Sequence, residues 1–201
     1  LLQGVQITDV DSTTMSSARV TITNVAQGDT LSVASTALPT GVTASFANGV
    51  LTLTGSASVD AYQTALKNVL YSSTSQNPST IARQIKVDVT DSQGASSVAI
   101  VRTVNVVAVN DAPILATATT QPLVATEQTE STLSGKGLQI TDVDAGASQV
   151  TVIASVANGS LKLIGTFADV TVVSGAGTAS MVLKGTVAAI NTVLSTAVLR
   201  Q

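Results

Sequence analysis

The chain has 201 residues, no cysteine, no histidine, no tryptophan and a formal net charge of −3. These absences exclude a thiolate nucleophile, an imidazole base, a His/Cys zinc site and a disulfide framework. Nine Lys and Arg residues, scattered without a patch, exclude the footprint expected of a nucleic-acid partner.

Charged residues make 10% of the chain and aromatics 2%, against about 25% charged in an average domain. The core must therefore be built from small aliphatic side chains, and Val and Thr suit half-buried pleated surfaces. An enzyme is not expected from so few acid–base groups. No apolar run approaches the ~18 residues of a membrane span, so no span is expected.

Read in chain order, the first motif is Gly4-Val5-Gln6-Ile7-Thr8-Asp9-Val10-Asp11. Val20-Thr21-Ile22-Thr23 alternates as a strand, and Gly28-Asp29, Pro39-Thr40-Gly41 and Asn48-Gly49 read as turns. Val59, Tyr62, Leu66, Val69 and Leu70 share one helical face, with Ser58 as N-cap. Ile85-Lys86-Val87-Asp88-Val89-Thr90-Asp91 alternates clearly, with Ile85, Val87 and Val89 facing inward. After a turn at Asp91 to Gly94, a β-rich run spans Val98 to Val109 and ends at Asn110-Asp111-Ala112-Pro113.

Beyond that boundary, Gly137-Leu138-Gln139-Ile140-Thr141-Asp142-Val143-Asp144 repeats the first motif at seven of eight positions. Strands follow near Val150–Ile153, Leu161–Ile164, Val170–Val173 and Met181–Leu183, with a turn at Gly175 to Gly177. A second helical face combines Thr186, Val187, Ile190, Val193 and Leu194. The repeat predicts two units, 1–109 and 110–201. The first is read as lacking its opening strand segment and the second as cut after its helix, like a window on a longer array. Short strands with turns every 8–12 residues predict β-sandwiches, here with one short helix per unit crossing between sheets.

Acidic residues concentrate at the repeated motifs and the boundary. Asp at i and i+2 of a strand point to one side, so Asp9 with Asp11, and Asp142 with Asp144, can converge at a strand end. Hard oxygen donors of this kind suit Ca2+, which takes roughly 6–8 oxygens. The same residues also favour plain turns, because Asp and Asn hydrogen-bond their own backbone.

The segment Val87-Asp88-Val89-Thr90-Asp91-Ser92-Gln93-Gly94, followed by Val106-Val107-Ala108-Val109-Asn110-Asp111-Ala112-Pro113, resembles the end of a cadherin repeat and its acidic linker. It is more similar still to the bacterial cadherin-like repeats of giant surface adhesins and type I-secreted proteins. The residues carrying that likeness are Leu51-Thr52-Leu53-Thr54-Gly55, Tyr62-Gln63-Thr64-Ala65-Leu66, Tyr71-Ser72 and Asn77-Pro78. Thr126-Glu127-Gln128 resembles the family's early Glu motif, whereas the Leu-Asp-Arg-Glu motif is absent.

The resemblance implies an all-β fold of tandem Ig/cadherin-like Greek-key sandwiches, with calcium at module junctions. By position, Asn110 and Asp111 would meet Asp142 and Asp144. Asp9, Asp11 and Asp91 would serve a junction before Leu1, and Glu127 one after Gln201. The expected role is a structural and adhesive stalk module at the bacterial cell surface. Its partners would be neighbouring repeats, other copies or cell-surface ligands. Two alternatives stand beside it: a filament subunit assembling by strand exchange between copies, and a carbohydrate- or protein-binding module.

Overall fold

A computed structural model describes residues 1–117, 126, 128–132 and 137–200. The chain divides into two compact units, Leu1–Val109 and Asn110–Gln201. The fold is mostly β, in several antiparallel sheets, with two short α-helices among the described residues. No helix among them is long and apolar enough to cross a membrane.

In unit 1 the strands are β1 (Thr14–Ile22), β2 (Asp29–Val33), β3 (Thr43–Ala47) and β4 (Val50–Ser58). The helix α1 (Val59–Lys67) follows, then β5 (Val69–Ser73), β6 (Arg83–Asp91) and β7 (Ile100–Val104). Five strands form one sheet in the order β3-β4-β1-β6-β7, and β2 pairs with β5 in a second. One core gathers side chains from both sheets and from α1: Ala18, Val20, Leu31, Leu51, Leu53, Tyr62, Leu66, Val69, Ile85 and Val87 are all buried.

Local chemistry explains the connections. Asn48 and Gly49 both adopt positive φ, 50° and 80°, the backbone a two-residue hairpin needs between right-twisted strands. Ser58 caps α1 by accepting from the Ala61 N–H at 3.2 Å, and Asp60 sits in the first turn with Lys67 in the last, matching the helix dipole. Tyr62 is fully buried on the inner face of α1 and donates its hydroxyl to the Gly55 carbonyl at 2.6 Å. Gly55 itself has φ 138°, and a Cβ there would lie 2.2 Å from the Gly41 carbonyl oxygen, so only glycine fits.

The sequence pattern carried α1 too far. Val69 and Leu70 keep helical spacing, yet Asn68 ends the helix and Val69 opens β5. Val69 is buried and Leu70 exposed, the two-residue alternation of a strand. The β-rich run of Val98 to Val109 likewise shortens to Ile100–Val104, the segment that has β6 to pair with.

Unit 2 contains β8 (Ile114–Ala116), β9 (Glu130–Thr132), β10 (Gln139–Thr141), β11 (Gln149–Ser155), β12 (Ser160–Leu163), β13 (Val170–Ser174) and β14 (Ser180–Thr186). Then come α2 (Val187–Leu194) and β15 (Ala197–Arg200). Its sheets run β11-β14-β13, β12-β15-β9 and β10-β8. Thr186 caps α2 by accepting from the Ala189 N–H at 3.3 Å, and Asn191 brackets Ile140 by bonding both its N–H and its carbonyl at 2.8 Å. Among the described residues, its core gathers Ile140, Leu161, Met181, Leu183, Ile190, Val193 and Leu194.

Candidate metal centre

The acidic residues of unit 1 are gathered by three local devices. The first is the turn after Ile7-Thr8: one carboxylate oxygen of Asp9 accepts from the N–H of Asp11 at 3.1 Å and of Ser12 at 2.9 Å. This closes an Asx turn that projects Asp9 and Asp11 together. The backbone N–H groups of Ser12 and Asp11 hold the Asp9 carboxyl below its usual range, because a donated hydrogen bond favours the charged form.

The second device is the end of β6. Asp91 is 6% exposed, and one of its oxygens accepts from the N–H groups of Gln93 at 2.8 Å and Ala95 at 2.9 Å. The third is a register shift in β1 between Met15 and Ser17, opposite Asp91. Ser16 there donates its hydroxyl to the Asp91 carbonyl at 2.6 Å. Gln93 closes the arrangement by donating its side-chain amide to the Ser12 hydroxyl at 3.2 Å, joining the two turns.

The outcome is that carboxylate oxygens of Asp9, Asp11 and Asp91 lie within 4.8 Å of one another. Asp91 is buried, whereas Asp11 is exposed. The ion pairs found among the described residues, Arg83–Asp29 and Lys162–Glu130, lie elsewhere. Three carboxylates thus share one place without a lysine or arginine among their ion-pair partners. The donors are hard oxygens, which suit Ca2+, Mg2+ or Mn2+ over softer metals. Ca2+ would take its remaining oxygens from carbonyls and water.

Unit 2 repeats the turn. One oxygen of Asp142 accepts from the N–H of Asp144 at 3.3 Å and of Ala145 at 2.9 Å. Asp144 lies against the start of this unit, where one of its oxygens accepts from the Asp111 N–H at 2.9 Å. The other oxygen is buried and has no hydrogen-bond partner among the described residues. Asn110 is exposed and donates its side-chain amide to the Asp111 carbonyl at 2.8 Å. Asp111 therefore meets Asp144 through its backbone. Among the described residues, the carboxylates of Asp111, Asp142 and Asp144 do not form a group as tight as that in unit 1. Glu127 lies outside the described residues.

A second polar constellation went unread in the sequence. Arg83, 1% exposed, donates Nε to Asp29 at 2.5 Å and its Nη2 to the Ser79 carbonyl at 3.1 Å, and also bonds the Ile81 carbonyl. Tyr71 donates its hydroxyl to Asp29 at 2.6 Å, and the Ala26 N–H bonds the same carboxylate at 2.8 Å. The signal was present in parity alone: Arg83 shares the inward face of β6 with Ile85 and Val87.

Unit 2 also holds an open cleft of about 570 Å³ beside β12 and β13, lined by Lys162, Leu163, Phe167 and Val170 among others. Phe167 is its aromatic side chain and Lys162 its charged one.

No family model, no curated protein and no solved structure matches the chain.

Proposed function

We propose that this chain is a structural and adhesive stalk segment of a large, repetitive extracellular bacterial surface protein. In this reading each unit is a cadherin-like β-sandwich module. Calcium held by Asp9, Asp11 and Asp91 stiffens the end of the module that carries them. The observation that carries the reading is the convergence of those three carboxylates, built from a motif that the chain repeats at Asp142 and Asp144. The role is mechanical rather than catalytic: a bound cation replaces carboxylate repulsion with attraction and fixes two turns against each other.

A ligand that binds the folded state alone raises stability by about 2.7 kcal/mol at 100 times its Kd. Thermal unfolding of the full chain, with calcium and with chelator, tests this. The expected result is a higher midpoint for unit 1 in calcium, together with slower proteolysis near 9–12 and 91–95. Identical midpoints and digestion patterns in the two conditions would overturn it.

A further inference from the structure

Asn-Gly occurs twice in the chain, at Asn48-Gly49 and Asn158-Gly159. In this dipeptide the side-chain amide is easily lost, because glycine puts no side chain in the way of its own backbone nitrogen. That nitrogen reaches the Asn side-chain carbon only if the two residues are free to rotate past each other. The two copies sit in different local structures, so the same chemistry meets different constraints.

At Asn48-Gly49 the turn is locked. The two residues hold φ 50° and 80° between the paired Ala47 and Val50. Gly49 is buried, its carbonyl accepts from the Ile22 N–H at 2.8 Å, and a Cβ built on it would lie 3.2 Å from the Val25 Cβ. Swinging the Gly49 nitrogen toward the Asn48 side chain would break the bond to β1 and push into Val25.

At Asn158-Gly159 these restraints are missing. Ala157, Asn158 and Gly159 form a bend, and all three are exposed. Asn158 does not share the positive φ of Asn48. The chain is anchored on either side of the bend, where the Val156 N–H donates to the Ala179 carbonyl at 2.9 Å and the Leu161 N–H to the Thr178 carbonyl at 2.8 Å. No backbone hydrogen bond holds Asn158 or Gly159 among the described residues. The bend also joins two sheets, since β11 belongs to one and β12 to another.

We infer that Asn158-Gly159 is a self-modification site, at which the folded protein converts its own asparagine to aspartate and isoaspartate with water as the only co-reactant. The Gly159 nitrogen loses its proton to hydroxide and attacks the Asn158 side-chain carbon. A C–N bond forms, the bond to the side-chain nitrogen breaks, and ammonia leaves with a proton from water. Water then opens the cyclic imide at either carbonyl. Opening at the side-chain carbonyl gives aspartate; opening at the main-chain carbonyl gives isoaspartate, with one extra carbon in the backbone. Both products carry a new carboxylate. The extra carbon lies between the two anchors and loosens the Val156 and Leu161 hydrogen bonds. This inference rests on neither calcium nor the stalk reading.

The test is to age the full chain at mildly alkaline pH, folded and in urea, and to follow both dipeptides by peptide mapping with mass spectrometry. Fragmentation that separates isoaspartate from aspartate scores the products. In the folded chain Asn158 should react ~10-fold faster than Asn48 or more, the factor that ~1.4 kcal/mol of local opening imposes on the locked turn. In urea the two rates should converge. Asn158→Gln should stop the reaction at the bend, because the longer side chain closes the ring far more slowly, and should leave Asn48 unchanged. Hydrogen exchange of the Val156 and Leu161 amides should be faster in the aged chain than in aged Asn158→Gln. Equal rates at the two dipeptides in the folded chain would overturn the inference. So would an intact Asn158 in the folded chain when the urea-treated chain reacts, or exchange at Val156 and Leu161 that ageing leaves unchanged.

Discussion

Arg83 should be costly to disturb. It joins β6 to β2 through Asp29, and Asp29 is in turn held by Tyr71 of β5, so three strands from two sheets meet at one carboxylate. Removing one partner of a buried ion pair costs about 3–5 kcal/mol, because the other is left charged and unpaired. Arg83→Met should therefore lower the denaturant-derived stability of unit 1 by about that amount. The double variant Arg83→Met/Asp29→Leu should recover part of it.

The same carboxylate sets a pH dependence. Burial pushes the Asp29 carboxyl up, but the hydrogen bonds from Arg83, Tyr71 and the Ala26 N–H outweigh it and leave it below the ordinary 3.8. A depressed carboxyl stabilises the folded state above its unfolded value and loses that contribution as pH falls through the folded one. Unit 1 should thus lose stability below pH 3.8, and Asp29→Asn should flatten that loss. At the other end, burial and the Asp29 hydrogen bond push the Tyr71 hydroxyl up to about 12 from 10.0. Its contribution is complete below pH 10.0 and is lost as pH rises toward 12. A Tyr71→Phe variant followed by circular dichroism should lack this alkaline loss.

At the scale of elements, the helices depend on their caps. Ser58 and Thr186 each accept one backbone N–H in the first turn, and replacing such a cap by alanine costs about 1 kcal/mol. Ser58→Ala should cost that much and Ser58→Asp should not, as read from equilibrium unfolding. Which elements the sequence revealed follows from their chemistry. Both helices were legible, because Ser58 and Thr186 precede clean apolar periodicity, and β6 was legible because Ile85, Val87 and Val89 alternate over a long run. Strands β2 and β5 were not: each has five residues, and Val69-Leu70 keeps the helical spacing although Asn68 has already ended α1. The Asp9–Asp11 half of the acidic cluster lay in one motif and could be read directly. The place of Asp91 beside it followed only from strand pairing, since the β1 bulge and the end of β6 bring it there. The Asp29–Tyr71–Arg83 set joins three strands far apart in sequence, and only the parity of Arg83 pointed to it.

For the molecule as a whole, the chain divides into two compact units, each with its own buried cluster. Unit 1 buries Met15, Val20, Leu53, Tyr62 and Ile85 in one core with Arg83 satisfied at its edge. Among the described residues, unit 2 buries Leu161, Met181, Leu183, Ile190 and Val193, with Val150, Val152 and Ala154 packed against them. Because each unit has its own buried cluster, calorimetry of the full chain should give two transitions, one for each unit. A single transition with uniform exchange would mean that the units unfold as one.

In the proposed function, Asp9, Asp11 and Asp91 together hold a divalent cation. Asp11 is the cleanest handle, since it is exposed and an amide in its place removes charge while leaving the Asp9 turn and the core intact. Calcium titration calorimetry on the full chain and on Asp11→Asn tests the claim most directly. The expected result is saturable binding that weakens by about tenfold in Asp11→Asn, as ligand charge is lost, with the fold unchanged by circular dichroism. No binding at millimolar calcium, or the same affinity in both proteins, would contradict it.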